Sequence, residues 1–177
     1  MSSRKSSAVS NAGPLIHLSK VGLLCLLRQL FERVLVPEGV KVEVVDEGKL
    51  KGFPDALQIE NALLEGWLRV EKVETPSEFA RTAETAGLKP AEASVIFHAY
   101  AAGIVALLDD DAARVFARTL GVEVRGSVGG IIEALSRRLV TMGEALEGLD
   151  RLSEAMFLSV SAYKLARREI ERIGASR

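Results

Sequence analysis

GIVALLDDDAARVFARTLGVEVRGSVGG, residues 103–130, decides how the rest of the chain is read. Ile104–Leu108 is a short apolar run of the length expected for a buried strand. Asp109, Asp110 and Asp111 end it. A helical pattern follows, with Ala112, Ala113, Val115, Phe116 and Leu120 on its apolar side. Val122–Val124 is a second short strand, and Ser127, Gly129 and Gly130 come after it. Strand, helix, strand is the crossover unit of a parallel sheet. Parallel sheets bind ligands at the carboxyl ends of their strands, where the aspartates fall. Three like charges at a strand end repel unless a cation or hydrogen-bond donors neutralise them. The stretch therefore predicts a divalent-metal site, with Asp111 as the expected helix cap.

Composition limits what surrounds it. The chain has 177 residues, 48% of them hydrophobic, which suits one domain with a substantial core. A net charge of -1 gives no global pull toward nucleic acid or an anionic membrane. A metal or a local basic cluster would still admit a phosphate ligand. Cys25 is the only cysteine, so no internal disulfide framework exists; in its apolar run it reads as a buried small hydrophobe. The opening residues are polar, and no apolar run approaches membrane-spanning length. A soluble, cytoplasmic protein is expected.

Further strands are expected at Ala8–Ser10, Val34–Val36 and Trp67–Val70. A helix follows Pro14, and Leu23–Leu30 is apolar on more than one side, which suits core or an interface. A helix after Pro37 would carry Glu43. Asp55 is the expected cap of the next one, and residues 77–86 are a weaker helical stretch. Pro90 opens a clear helix with Glu92 in its first turn and Gly103 at its stop. Ser127 would cap Val128–Arg138, burying Ile131, Ile132, Leu135 and Leu139. Met142–Leu152 and a segment from Ser159 or Ser161 to Ile173 complete the chain, the latter with Tyr163, Leu165, Ile170 and Ile173 as its apolar positions. Strands alternating with helices predict an α/β fold: a single three-layer α/β/α domain with a parallel sheet over residues 8–177, additional C-terminal helices, and a flexible tail at residues 1–7.

Three acidic positions share a relation to the strand ends: Glu43, Glu92 and Asp110. Hard cations such as Mg²⁺ and Mn²⁺ take oxygen ligands of this type. If the three converge, a bound metal would generate a hydroxide-like nucleophile and stabilise charge on a phosphoryl group. Spacing alone does not show convergence; Glu92 also suits a helix amino terminus, and Glu43 also reads as a solvated carboxylate. His17 and His98 lack a zinc-ligand motif and read as structural. Gly126, Gly129 and Gly130 form no dinucleotide or phosphate-loop fingerprint. Ser10 has no base and acidic orienter beside it. The basic positions of the last helix read as a solvated face, with RNA phosphate or an acidic partner as the alternative.

VSNAGPLIHLSKVGLL (9–24), VLVPEGVKVEVV (34–45), LKPAEASVIFHAYAAG (88–103) and LLDDDAARVFARTLGVEVRGSVGGIIEA (107–134), in that order, resemble a PIN-domain protein. The likeness is to the small, single-domain, VapC-like subgroup of archaea and bacteria. It implies a parallel sheet whose carboxyl end gathers acidic residues. It also implies an Mg²⁺- or Mn²⁺-dependent endoribonuclease, often the toxin of a toxin–antitoxin pair and often a homodimer. The resemblance places Asn11 where the family's first aspartate stands, then Glu43, Glu92 and Asp110 at the following acidic positions. These four are the implied metal set, and Glu43, Glu92 and Asp110 the implied catalytic residues. Asp109, Asp111, Arg114 and Ser127 are implied in support. Asn11 departs from the family pattern: an amide oxygen coordinates Mg²⁺ but brings no charge. RNA is the implied substrate, a small antitoxin and a second copy through Leu23–Leu30 the implied partners. The alternative is a catalytically degenerate PIN fold that binds RNA or a protein without cleavage.

Overall fold

The computed structural model describes residues 6–176. Five strands form one sheet: β1 (Ala8–Ser10), β2 (Val34–Pro37), β3 (Leu68–Glu71), β4 (Val105–Leu107) and β5 (Val124–Arg125). Their order is β3-β2-β1-β4-β5, and every neighbouring pair is parallel. The central β1 and β4 are fully buried, as strands covered on both faces must be, while the edge strand β3 buries only Leu68.

From β1 the chain winds outward to β2 and β3, then returns across the sheet to β4 and β5. With right-handed crossovers this reversal places the intervening helices on opposite faces. On one face lie α1 (Ala12–Lys20), α2 (Cys25–Leu30) and α5 (Pro54–Leu64). α9 (Ser127–Ser136), α10 (Met142–Ala155) and α11 (Val160–Ala175) pack onto that layer. On the other, α7 (Pro90–Ala102) crosses β1, β2 and β4, flanked by α6 (Ser77–Thr85) and α8 (Asp111–Thr119). The protein is a three-layer α/β/α domain. No helix among the described residues is long and apolar enough to cross a membrane.

Between β2 and α5 the chain stays helical through α3 (Glu38–Lys41), a π-helical stretch Val42–Glu47, and α4 (Gly48–Leu50). The wider turn suits Lys41, whose Nζ reaches Asp46, five residues on, at 2.7 Å. Gly48 lets this segment approach α5: a β-carbon there would stand 2.9 Å from Ala56 Cβ.

Several expectations are corrected. The tail expected at residues 1–7 is not among these corrections, since residues 1–5 lie outside the described residues. Leu24, Leu26, Leu27 and Leu30 are buried within the domain, so the expected dimer face at Leu23–Leu30 is spent on the chain's own core. Cys25 between them is exposed. α8 and α11 sit in outer positions and bury small residues, Ala113, Ala117 and Ala166, together with Ile170; Val115 and Leu165 face outward. Leu139 lies beyond the end of α9 and is exposed. Asp55 is buried inside α5, whose N-cap is Phe53.

Candidate functional site

Reversal of the winding direction occurs between β1 and β4. In open α/β sheets the two loops that leave such neighbouring strands diverge and open a crevice at their carboxyl ends. Here Ser10 pairs with Leu107, and the Asn11 backbone N–H donates to the Leu107 carbonyl at 3.1 Å. Asn11 at the end of β1 and Asp109–Asp110 just beyond β4 therefore stand on the two sides of one crevice. The π-helical stretch and the start of α7 close it. A cleft of about 340 Å³ results, lined by Asn11, His17, Glu43, Glu92, Asp109 and Asp110, with Lys89 and Met156 at its edges.

Each acidic residue is held differently. Glu92 is buried, and one of its oxygens accepts from the Lys89 backbone N–H at 2.8 Å, fixing it across the first turn of α7. Asp110 is the N-cap of α8: Oδ1 accepts from Ala113 N–H at 2.9 Å. The expected cap, Asp111, instead begins the helix and its side chain is 99% exposed. Glu43 lies on the exposed rim in the π-helical stretch, a distortion often found at functional sites.

Asp109 is the most constrained of the group, with a side chain only 7% exposed. Oδ1 accepts from Ser127 N–H at 2.7 Å; Oδ2 accepts from the Ser127 hydroxyl and from His17 Nδ1, each at 2.7 Å. This joins the end of β4 to the start of α9 and to the last turn of α1. Because a carboxylate only accepts, His17 carries its hydrogen on Nδ1. Ser127 does not cap α9; Gly126 is the N-cap, and the hydroxyl is committed to Asp109. Close approach requires Gly126, where a β-carbon would stand 3.1 Å from Asp109 Oδ1.

Asn11 Oδ1 is buried and accepts no hydrogen bond, although Asn11 occupies the N-cap position of α1. An orphaned amide oxygen in a cleft with carboxylates suits a hard cation. No three His, Cys, Asp or Glu side chains among the described residues stand close enough to hold an ion by themselves. Any ion in the cleft would need ligands of another kind, which the asparagine amide and water are.

A family model described as a PIN domain (DUF3368) matches residues 7–172. The chain belongs to the PIN-domain family. No curated protein and no solved structure is significantly similar to it.

Of the residues expected at the site of this PIN domain, Asn11, Glu43, Glu92, Asp109 and Asp110 line the one cleft. Asp111 and Arg114 line a neighbouring groove, and the Arg114 guanidinium is 3.9 Å from Asp111 rather than packed on the cleft carboxylates. His17 has the structural role its sequence context suggests, bonded to Asp109, and it also lines the cleft. Its place six residues after Asn11 on the helix leaving β1 was the available signal. Lys89 and Met156 carried none.

Proposed function

We propose that this PIN domain is a metal-dependent endoribonuclease that hydrolyses RNA phosphodiester bonds, using Mg²⁺ or Mn²⁺. The observation that supports it most is the orphaned Asn11 Oδ1 in a cleft shared with Glu92 and Asp110. Glu92 and Asp110 each commit one oxygen to a backbone N–H, which leaves the other for a ligand. Magnesium retains several waters, so an amide and two carboxylates are a sufficient protein contribution. Asn11, Glu92 and Asp110 would hold the ion, with the exposed Glu43 orienting water from the rim rather than joining them as a third carboxylate ligand. Such an ion, when bound, supplies a hydroxide nucleophile and neutralises charge on the phosphoryl oxygens.

The chain's own part is positional. Backbone donors fix Glu92 and Asp110 before any ligand arrives, so little reorganisation is needed on binding. Asp109, with both oxygens occupied, serves as a brace between β4, α1 and α9 rather than as a ligand. We further infer a cytoplasmic toxin paired with a small antitoxin, acting as a homodimer through a face other than Leu23–Leu30.

Titration with Mn²⁺ in a fluorescent RNA cleavage assay, run beside Asp110→Asn, tests the reading. Metal-dependent cleavage that the substitution abolishes is expected; cleavage that survives it unchanged points to contamination. One observation favours a second reading. Asn11 supplies no charge where metal affinity depends on charge, as in a degenerate PIN fold that binds RNA or protein without cutting. Retention of RNA with no turnover at saturating Mn²⁺ would select it.

A further inference from the structure

Beside the carboxylate cleft runs a second groove of about 740 Å³, sharing Asp109 and Met156 with it. One wall, from α8, β5 and the start of α9, carries Arg114, Arg118 and Arg125; the other, from the α10–α11 turn and α11, carries Phe157 and Leu165.

Most acidic groups along this groove are already engaged. Asp109 accepts the three hydrogen bonds described above, and Glu169 is paired with Arg172 at 2.6 Å. Arg125 is neutralised by Glu123 and Glu133 at 2.8 and 2.7 Å. The other two arginines are freer. Arg118 has no ion pair among the described residues. Arg114 Nε is buried without an acceptor, and its nearest carboxylate, on the solvent-facing Asp111, is 3.9 Å away. Available charge on this wall is cationic.

Phe157 faces that wall from a costly position. It is 92% exposed, and its φ of 53° is left-handed. It directly follows Met156, the C-cap of α10, at the place where glycine commonly ends a helix. A bulky β-carbon is disfavoured there, and the ring gains almost no burial in return.

We propose that this groove holds a single-stranded polynucleotide leading out of the carboxylate cleft, with Arg114 and Arg118 meeting its phosphates and Phe157 stacking beneath an unpaired base. The nuclease reading supplies the identity of the ligand. Continuity with the cleft, free cationic charge and an unburied ring supply the path. Aromatic stacking requires a base free of its partner, so the groove favours single strands over duplex.

Phe157→Gly separates this role from packing, because it removes the ring and gives the left-handed position the residue it favours. Anisotropy of a fluorescein-labelled RNA is measured in EDTA, so that binding is read without cleavage. The strand is tested alone and annealed to its complement. Wild-type protein should prefer the single strand. Phe157→Gly should weaken single-strand binding about tenfold, leave duplex binding unchanged, and melt no lower than wild type. Arg118→Ala should weaken both and reduce the salt dependence by about one released ion. Single-strand affinity indifferent to Phe157→Gly overturns the proposal. So does a lowered melting temperature, which would mark Phe157 as a packing residue, or a wild type that binds neither strand, which would leave the groove to a protein segment. Cleavage in Mn²⁺ is scored separately. Phe157-dependent binding without cleavage removes the nuclease reading and supports the groove; cleavage with binding indifferent to Phe157 and Arg118 does the reverse.

Discussion

Asp109→Ala and Asp110→Asn should separate architecture from chemistry at adjacent positions. Asp109 accepts three hydrogen bonds of 2.7 Å with a side chain 7% exposed. A hydrogen bond to a charged group is worth about 1.5–3 kcal/mol, and stranding a buried donor such as Ser127 N–H costs about 1–3 kcal/mol. Those terms do not add, and His17 is 25% exposed, so water can replace one bond. Breaking a buried charged network costs about 3–5 kcal/mol, which is the magnitude expected here. For a domain of this size each kcal/mol moves the melting temperature by about 2–4 °C. Asp109→Ala should therefore melt roughly 6–20 °C below wild type. Asp110→Asn keeps its capping oxygen on Ala113 N–H, and asparagine caps as well as aspartate. Its stability should stay within about 0.5 kcal/mol of wild type. Mn²⁺ at about a hundred times its dissociation constant should stabilise wild type by about 2.7 kcal/mol and the Asn variant far less. Thermal melts with and without Mn²⁺, read beside RNA cleavage, check both. An Asp109→Ala protein as stable as wild type would refute the brace. Equal destabilisation by the two substitutions would refute the division between them.

Asn11→Asp adds a charge at the orphaned oxygen and should tighten Mn²⁺ binding by about tenfold or more, measured by calorimetry; unchanged affinity would place Asn11 outside the ion's ligands. Gly48→Ala puts a β-carbon 2.9 Å from the immobile Ala56 Cβ. It should destabilise by about 1–3 kcal/mol in a denaturant titration. At the start of α10, Thr141 donates to Glu144 from its backbone N–H and then from its hydroxyl, holding that carboxyl below the usual carboxylate range. A depressed folded-state pKa gives stability that is present above the unfolded-state value and lost as pH falls through the folded one. The melting-temperature gap between wild type and Glu144→Gln should thus be full near neutrality and close in strongly acid solution.

The two central strands and the end of the sheet at which the acidic crevice opens were legible because Ile104–Leu108 and Ala8–Ser10 are short, apolar and followed at once by polar residues; the strand order was not. Element ends were less so. Val122 reads as strand, but its N–H bonds back to Ala117 and, after Gly121 at φ 76°, it closes α8 as a buried contact. β5 consequently begins only at Val124. Leu23–Leu30 is apolar on more than one side, so periodicity could not choose between core and interface; packing of α2 on α9 chose core. Val115 and Leu165 are apolar by type, yet the outer helices bury only Ala113 and Ala117 from α8 and Ala166 and Ile170 from α11. The bonds that make Asp109 a brace join it to residues 18 and 92 positions away, a relation no local pattern encodes.

Three identical residues in a row acquire three roles because the chain changes from strand to helix between them. Asp109 still follows the strand's direction and turns toward Ser127 at the start of α9 and His17 in the last turn of α1, so it meets donors and is consumed by them. Asp110 takes the extended backbone of an N-cap, φ -70° and ψ 131°, and spends one oxygen on the helix while the other is left for the crevice. Asp111 is already helical and is carried out to solvent beside Arg114. Sequence cannot assign these roles, since a shift of one residue would permute them without altering the composition. The same phase explains why an amide is tolerable at Asn11. The crevice already gathers Glu43, Glu92, Asp109 and Asp110, and a fifth carboxylate would add repulsion whenever no cation is bound. An asparagine keeps an oxygen at that position and removes the charge, which leaves the crevice under less electrostatic repulsion.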